Sequence, residues 1–363
     1  MNCSGSIKVL ATAIAGAWLV ACGGSPTFVQ PPGRVAADTS PDRISGAATA
    51  KAGVRLYVGG VNVSEYLLGH VHPLRSVNTG GNVQTMAADS IGNLFAATTY
   101  GSDEYLRTFD ARTLRVRPGY GPYAGPIAVD RDNYVYVRGY GHITVLNPGG
   151  MKKLRVMRKH IDWNGPLAFD RSGKLYVANI SAITVFAPTS RLGYMTYERK
   201  IASGIESPVA LAFGPADELF VANCRRCPYS QPGKRRDWIS VYARNGSTPL
   251  RRFYDGADGT KQPRALAVDS KGRLYVANYN FDGQGRAHGG AVAVYAPDGS
   301  SPTNTITKGI DAPIALAIDP SDNLYVANWF GGSVTVYGSG GTQLLATIKD
   351  GVSAPYSLRI GSP

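Results

Sequence analysis

The sequence predicts an all-β ring of four-stranded blades, a seven-bladed β-propeller, and three observations carry that prediction. Glycine and proline are abundant, 44 and 23 in 363 residues, beside 21 tyrosines and without a collagen-like period. That composition suits many short strands joined by tight turns. One hairpin signature recurs along the chain, and the two chain ends supply complementary fractions of the same repeat.

The signature opens at Asp89, Asp130, Asp170, Gly214, Asp269 and Asp319, at spacings of 41, 40, 44, 55 and 50 residues. Such spacings match the period of propeller blades. A short apolar strand precedes each opening residue, as in Ala265-Leu-Ala-Val268. A second strand follows, most clearly Leu175-Tyr-Val-Ala-Asn179, Leu274-Tyr-Val-Ala-Asn278 and Leu324-Tyr-Val-Ala-Asn328. A third strand, such as Ile183-Thr-Val-Phe186 or Val334-Thr-Val-Tyr337, and a weaker fourth complete each unit. The opening Asp can accept N–H groups across the turn, while Gly, Asn or Asp three residues later tolerates positive φ. Turn chemistry accounts for these aspartates better than calcium, because the turns lack a dense oxygen-ligand set.

Pro355-Tyr-Ser-Leu-Arg-Ile360 matches the opening strand Pro313-Ile-Ala-Leu-Ala-Ile318, and there the chain stops. Leu56-Tyr-Val58 and Val63-Ser-Glu-Tyr66 match second and third strands that lack an opening strand. Joining the two ends hides both edges and closes the ring. Six blades is the alternative, should the N-terminal strands be irregular.

The repeat resembles NHL-type propeller repeats and those of the virginiamycin B lyase group, which also place a Pro before strand one and an Asp-x-x-Gly hairpin before strand two. The likeness covers about residues 53 to 363. It implies the propeller architecture. Where the lyase repeats carry Trp-Phe-Thr-Glu at strand two, this chain has Tyr-Val-Ala-Asn, so the repeated acidic position is missing and lyase activity is not implied.

Residues 1–21 read as a lipoprotein signal. Lys8 precedes an apolar run from Val9 to Ala21, too short to span a bilayer comfortably. The run ends in Leu19-Val20-Ala21-Cys22, resembling a lipobox whose Cys22 would be acylated; an ordinary secretory signal is the alternative. Residues 22–52, with Pro26, Pro31, Pro32 and Pro41, read as a flexible tether, and residues 53–363 as the propeller. The expected location is the bacterial cell envelope, lipid-anchored, in the outer membrane, with Cys22 the membrane attachment.

Topology puts the turns between strands one and two on one face. The loops between strands two and three, and the blade-to-blade connections, lie on the other. Candidate ligand contacts on that loop-rich face are Asn179, Asn223, Asn278 and Asn328, each of which could instead cap its own loop. Tyr279 and Trp329 join them, with Tyr100, Tyr140, Phe281, Phe330, Tyr120, Tyr123 and Trp163 nearby. Aromatic rings beside amides suit sugar faces or flat ligands. The insertion from Cys224 to Asp237 carries Arg225, Arg226, Lys234, Arg235 and Arg236 on a chain of formal charge +13. It reads as an anion-attracting loop or a solvated one. Nucleic acid is not an expected partner, since no nucleic-acid module is visible. An envelope glycan or protein is.

Cys224 and Cys227 fit a local disulfide in an oxidising compartment, since neither a βαβ redox setting nor a second cysteine pair for zinc is present. His142, His160, His288 and Glu206, with Asp162, Asp282 and Asp311, share the loop-rich face but form no motif. His70 and His72 read as turn residues rather than a metal site. The sequence therefore favours a non-catalytic envelope scaffold that binds a ligand or partner, with no cofactor. The alternative is a metal-dependent lyase or lactonase-like enzyme using those histidines and a divalent cation.

Overall fold

The computed structural model describes residue 44 and residues 54–101, 103–117, 121, 125–162, 165–224, 237–254, 262–281 and 287–361. Cys22, Arg225, Arg226, Cys227, Lys234, Arg235, Arg236, Asp282, Tyr120, Tyr123 and Trp163 lie outside them, as do the side chains of Tyr279, Phe281 and His288.

Among the described residues the chain forms seven antiparallel sheets of four strands. Blades one to six follow chain order, with inner strands Asn82–Ala88, Ile127–Val129, Leu167–Phe169, Pro208–Phe213, Gln262–Val268 and Pro313–Ile318. Blade seven joins Ser357–Gly361 to Arg55–Gly59, Asn62–Leu67 and Arg75–Asn78, the closure expected from the two chain ends. Each inner strand touches the inner strands on both sides, so the ring is continuous. Seven blades is the observed count, and the six-blade alternative fails because the N-terminal strands are regular.

The second strands explain why the repeat reads as it does. Leu175–Asn179, Leu219–Asn223 and Leu324–Asn328 are buried along their whole length. Both of their faces meet a neighbouring sheet. In blade five, Val276 packs toward Phe220 and Ala222 of blade four, while Tyr275 and Ala277 pack toward Leu324 and Val326 of blade six. Alternate side chains of one strand thus fill the spaces on both sides of its sheet.

The turn aspartates serve the hairpin. Asp319 Oδ1 accepts the N–H groups of Ser321 and Asn323 at 2.8 and 2.9 Å, and its Oδ2 accepts Asn323 Nδ2 at 2.8 Å. Asp269 repeats the pattern with Lys271 and Arg273 at 3.0 and 2.9 Å, and Tyr275 donates to its Oδ2 at 3.0 Å. The residue three positions on is left-handed throughout, including Asn133, Asp217 and Asp322 at φ of 68°, 62° and 63°.

Two of these turns also latch adjacent blades. Ser270 donates its N–H and hydroxyl to the Asp322 carboxylate at 2.9 and 2.7 Å, and Ser90 makes the same pair to Asn133 Oδ1 at 2.8 and 2.9 Å. Burial alone would raise the Asp322 pKa, but the Ser270 bonds and the nearby Arg273 and Lys271 charges outweigh it and hold it below the ordinary 3.8. A depressed folded-state pKa means stability that is complete above the unfolded value and lost as pH falls through the folded one. Asp322→Asn, which copies the Asn133 latch, is therefore expected to lower the melting temperature by about 2–4 °C near neutral pH. The gap should narrow as the pH falls below 3.8 and the carboxylate takes up its proton. A gap that stays constant across an acid titration would remove this role for the charge.

Candidate functional site

The loop-rich face holds a cavity of about 230 Å³ on blade three, beside the connection that enters it from blade two, lined by His160, Ile161, Asp162, Asn179, Ser181, Ala182, Thr184, Tyr197 and Lys200. Its walls come from the connection into blade three, from the turn between that blade's second and third strands, and from its outer strand Met195–Ile201. The volume suits a ligand the size of one sugar ring.

Around this cavity blade three departs from the repeat. In blades four, six and seven the connection carries a left-handed glycine, Gly204, Gly309 and Gly351, at φ of 77°, 76° and 69°. His160 holds the same conformation at φ 63°. Serving that connection, Tyr242, Tyr337 and Tyr66 donate their hydroxyls to the carbonyls of Ser203, Lys308 and Asp350, at 2.6, 2.5 and 2.6 Å. Blade three has Phe186 at the matching position in its third strand, without a hydroxyl. The His160 ring instead stacks on Tyr197 with centroids 4.2 Å apart. A non-glycine residue held left-handed at this position is a local departure from the repeat.

Asn179 holds the connection in place. Its Oδ1 accepts the Asp162 N–H at 3.1 Å, and its Nδ2 donates to the His160 carbonyl and to Thr184 Oγ1 at 3.0 and 2.9 Å. The His160 carbonyl also accepts from Thr184 Oγ1 at 2.9 Å, and Asp162 Oδ1 accepts the Ile180 N–H at 3.2 Å. Arg138 of blade two, fully buried, stands where the other blades carry Ala97, Ala178, Ala222, Ala277 and Ala327 or Gly59. It donates to Asn179 Oδ1 at 3.0 Å. Burial pulls its pKa down to about 10, and the Asp162 charge opposes that fall.

Of the residues nominated from sequence, His160, Asp162 and Asn179 meet at this cavity. His142 is not part of its lining; its Nδ1 lies 2.9 Å from the Tyr140 carbonyl. Glu206 and Asp311 belong to the entries of blades four and six and are not brought to it. Among the described residues no group of three or more His, Cys, Asp or Glu side chains converges, so no metal-ligand set is assigned. His72 Nδ1 lies 2.9 Å from Asp350 Oδ2, at an exposed site.

The asparagines require a correction. Asn179, Asn223, Asn278 and Asn328 are buried, so they are not a ring of ligand contacts. Three of them accept the N–H of the residue 17 positions earlier: Asp162, Glu206 and Asp311. They fasten the incoming connection of their own blade, and Asn179 alone also walls the cavity. In blade five the second strand continues past Asn278 to Phe281, pairing with Ala287. Trp329 packs into an aromatic group at the closing seam, stacked on Phe330 at 4.6 Å and edge-on to Tyr356 at 5.4 Å. Tyr100, Tyr140 and Phe330 are exposed. Cys224 is buried and disulfide-bonded.

Sequence reasoning overlooked Arg138, Ser181, Tyr197 and Lys200. Arg138 left a signal, since it interrupts an otherwise small-residue column of the aligned second strands. The other three sit on an outer strand and a turn where the repeats share no pattern.

No protein-family model matches the chain, and no curated protein matches it. The resemblance to NHL repeats and the virginiamycin B lyase group therefore extends no further than the propeller itself. Solved structures match over nearly the whole domain. A provisionally named 6-phosphogluconolactonase from Bacteroides uniformis superposes with a TM-score of 0.66 at 15% identity, covering 86% of this chain and 100% of that one. A periplasmic gluconolactonase from Pseudomonas aeruginosa gives 0.63 at 15% identity, covering 85% and 99%. A Lactobacillus plantarum protein gives 0.63 at 16% identity, covering 85% and 99%. The expected non-catalytic scaffold is corrected by this comparison, since two of the full-length matches carry lactonase names. At these identities the likeness shows the seven-bladed propeller fold that this chain shares with those proteins.

Proposed function

We propose that this chain is a lactonase-like hydrolase that opens a sugar-derived lactone in the cavity on blade three. The observation that carries the reading is the departure of blade three from its own repeat, which gathers His160, Asp162 and Lys200 around space for one ring. The fold shared with two proteins of lactonase name supports the reaction class.

Lactone hydrolysis needs a base for water, a positive group for the developing oxyanion and a proton for the leaving oxygen. His160 takes a proton from water as the water oxygen bonds to the lactone carbonyl carbon. The Lys200 ammonium stabilises the oxyanion. When the ring C–O bond breaks, the imidazolium returns its proton to the departing oxygen, leaving a hydroxy acid. Asp162 supports the imidazolium charge, and the Tyr197 ring offers a stacking surface to imidazole or sugar.

Acid release from glucono-δ-lactone, followed in a pH-stat near neutral pH, should be saturable and above the uncatalysed rate. His160→Gln is expected to lower kcat/KM by about 10²–10⁴, and Lys200→Met by about 10²–10³. A wild-type rate equal to the background would sink the proposal. An envelope location, the reading of residues 1–22, agrees with the periplasmic name of one structural match. The activity should then sediment with membranes and become soluble in Cys22→Ser; soluble wild-type activity would count against the anchor.

A further inference from the structure

The inner strands carry a second feature, remote from the cavity. Two residues before the turn that ends each inner strand, six blades have alanine: Ala87, Ala128, Ala168, Ala212, Ala267 and Ala317. The closing strand has Arg359. Register confirms the equivalence, since Ala317 pairs with Tyr325, Ala267 with Tyr275 and Arg359 with Tyr57.

Leu358 and Ile360 pack toward blade six. Alternation along the strand turns Arg359 the other way, toward blade one, where its neighbour Ser357 accepts the Met86 N–H at 3.1 Å. At this innermost position the side chain opens onto the central channel. It remains solvent-accessible, yet protein surrounds it closely enough that burial lowers its pKa. No neighbouring carboxylate contributes to that shift, and among the described residues Arg359 has no hydrogen-bond or ion-pair partner.

The rest of the lining reinforces the sign. The seven inner strands hold two charged residues, Arg359 and Arg264, and no acidic one. Arg264 lies at the loop-rich mouth, at a β-bulge between Pro263 and Ala265. A narrow channel with low-dielectric walls and charge of one sign concentrates counter-ions.

We propose that the central channel is a binding site for a small oxyanion, a phosphate or a carboxylate, held by the guanidinium of Arg359. A guanidinium presents paired N–H donors that match two oxygens of such an anion. The site is separate from the cavity and does not depend on lactone hydrolysis there.

The test is thermal unfolding of the protein in a zwitterionic buffer with phosphate or acetate added, ionic strength being matched with chloride. Arg359→Ala places in the seventh blade the residue that six blades already carry, so the variant should fold. Wild-type protein is expected to show a saturable rise of about 5 °C or more at a hundredfold excess over Kd. In Arg359→Ala the rise should vanish, while the anion-free midpoint stays equal or increases. Whichever anion gives the larger Arg359-dependent rise identifies the source of the oxyanion. No rise in wild type, or an equal rise in the variant, would overturn the proposal.

Discussion

Deleting residues 355–363 is expected to abolish the monomeric fold. The segment Ser357–Gly361 pairs along its length with Arg55–Gly59. Leu358 and Ile360 pack with Leu56, Val58 and Tyr66 of their own blade and with Tyr325, Val334 and Val336 of blade six. Each aliphatic side chain contributes about 1.5–3 kcal/mol when fully buried, and each ladder hydrogen bond about 0.5–1.5 kcal/mol. Their sum is comparable to the whole stability of a typical domain, about 5–15 kcal/mol. The loss would also expose the free edge of Arg55–Gly59 and remove a neighbour from the inner strands of blades one and six, inviting edge-to-edge association. Circular-dichroism melting with size-exclusion chromatography checks it. A soluble monomer melting within a few degrees of the intact chain would show that ring closure matters little.

Asn179→Ala is expected to be the most damaging of the asparagine substitutions. It would remove an acceptor from the buried Arg138 guanidinium and free the Asp162 N–H and the His160 carbonyl from their amide partner. Bonds to buried charges are the more expensive to lose, so the cost is about 2–4 kcal/mol, or about 5–10 °C in melting temperature. Asn328→Ala loses the Asp311 N–H and the bond to Thr335 Oγ1, with no cation involved. Its cost should be nearer 1–2 kcal/mol, an order-of-magnitude value. Lactone turnover should fall in Asn179→Ala and persist in Asn328→Ala, because one of them alone holds the connection bearing His160 and Asp162. Equal losses of stability and activity in both variants would break the link between Asn179 and the cavity.

How far the site could be read beforehand differs from residue to residue. His160 and Asp162 stood out as chemistry-bearing side chains in a connection on the loop-rich face. The asparagines misled because the end of a strand shows where a side chain is, not which neighbour it meets. Their partners lie 17 residues earlier, in the incoming connection of the same blade. Arg138 was visible as a misfit, but its meaning required Asn179, 41 residues later, in the next blade. Tyr197 and Lys200 gave no signal, since an outer strand faces solvent on one side and its sequence is weakly constrained.

What the amino-acid sequence determined by itself is the behaviour of each blade alone. The Asp turns, the left-handed position three residues on, the alternation of the second strand and the split repeat at the two ends all act over a few residues or through one strand pairing. What only the tertiary structure decided is what the blades do to one another. The cavity brings together a connection, a turn and an outer strand, and the settings of the buried Arg138 and of Arg359 depend on neighbouring sheets. Local hydrogen bonding dictates a turn wherever it occurs. Burial and charge at a seam depend on distant residues that meet when the ring closes.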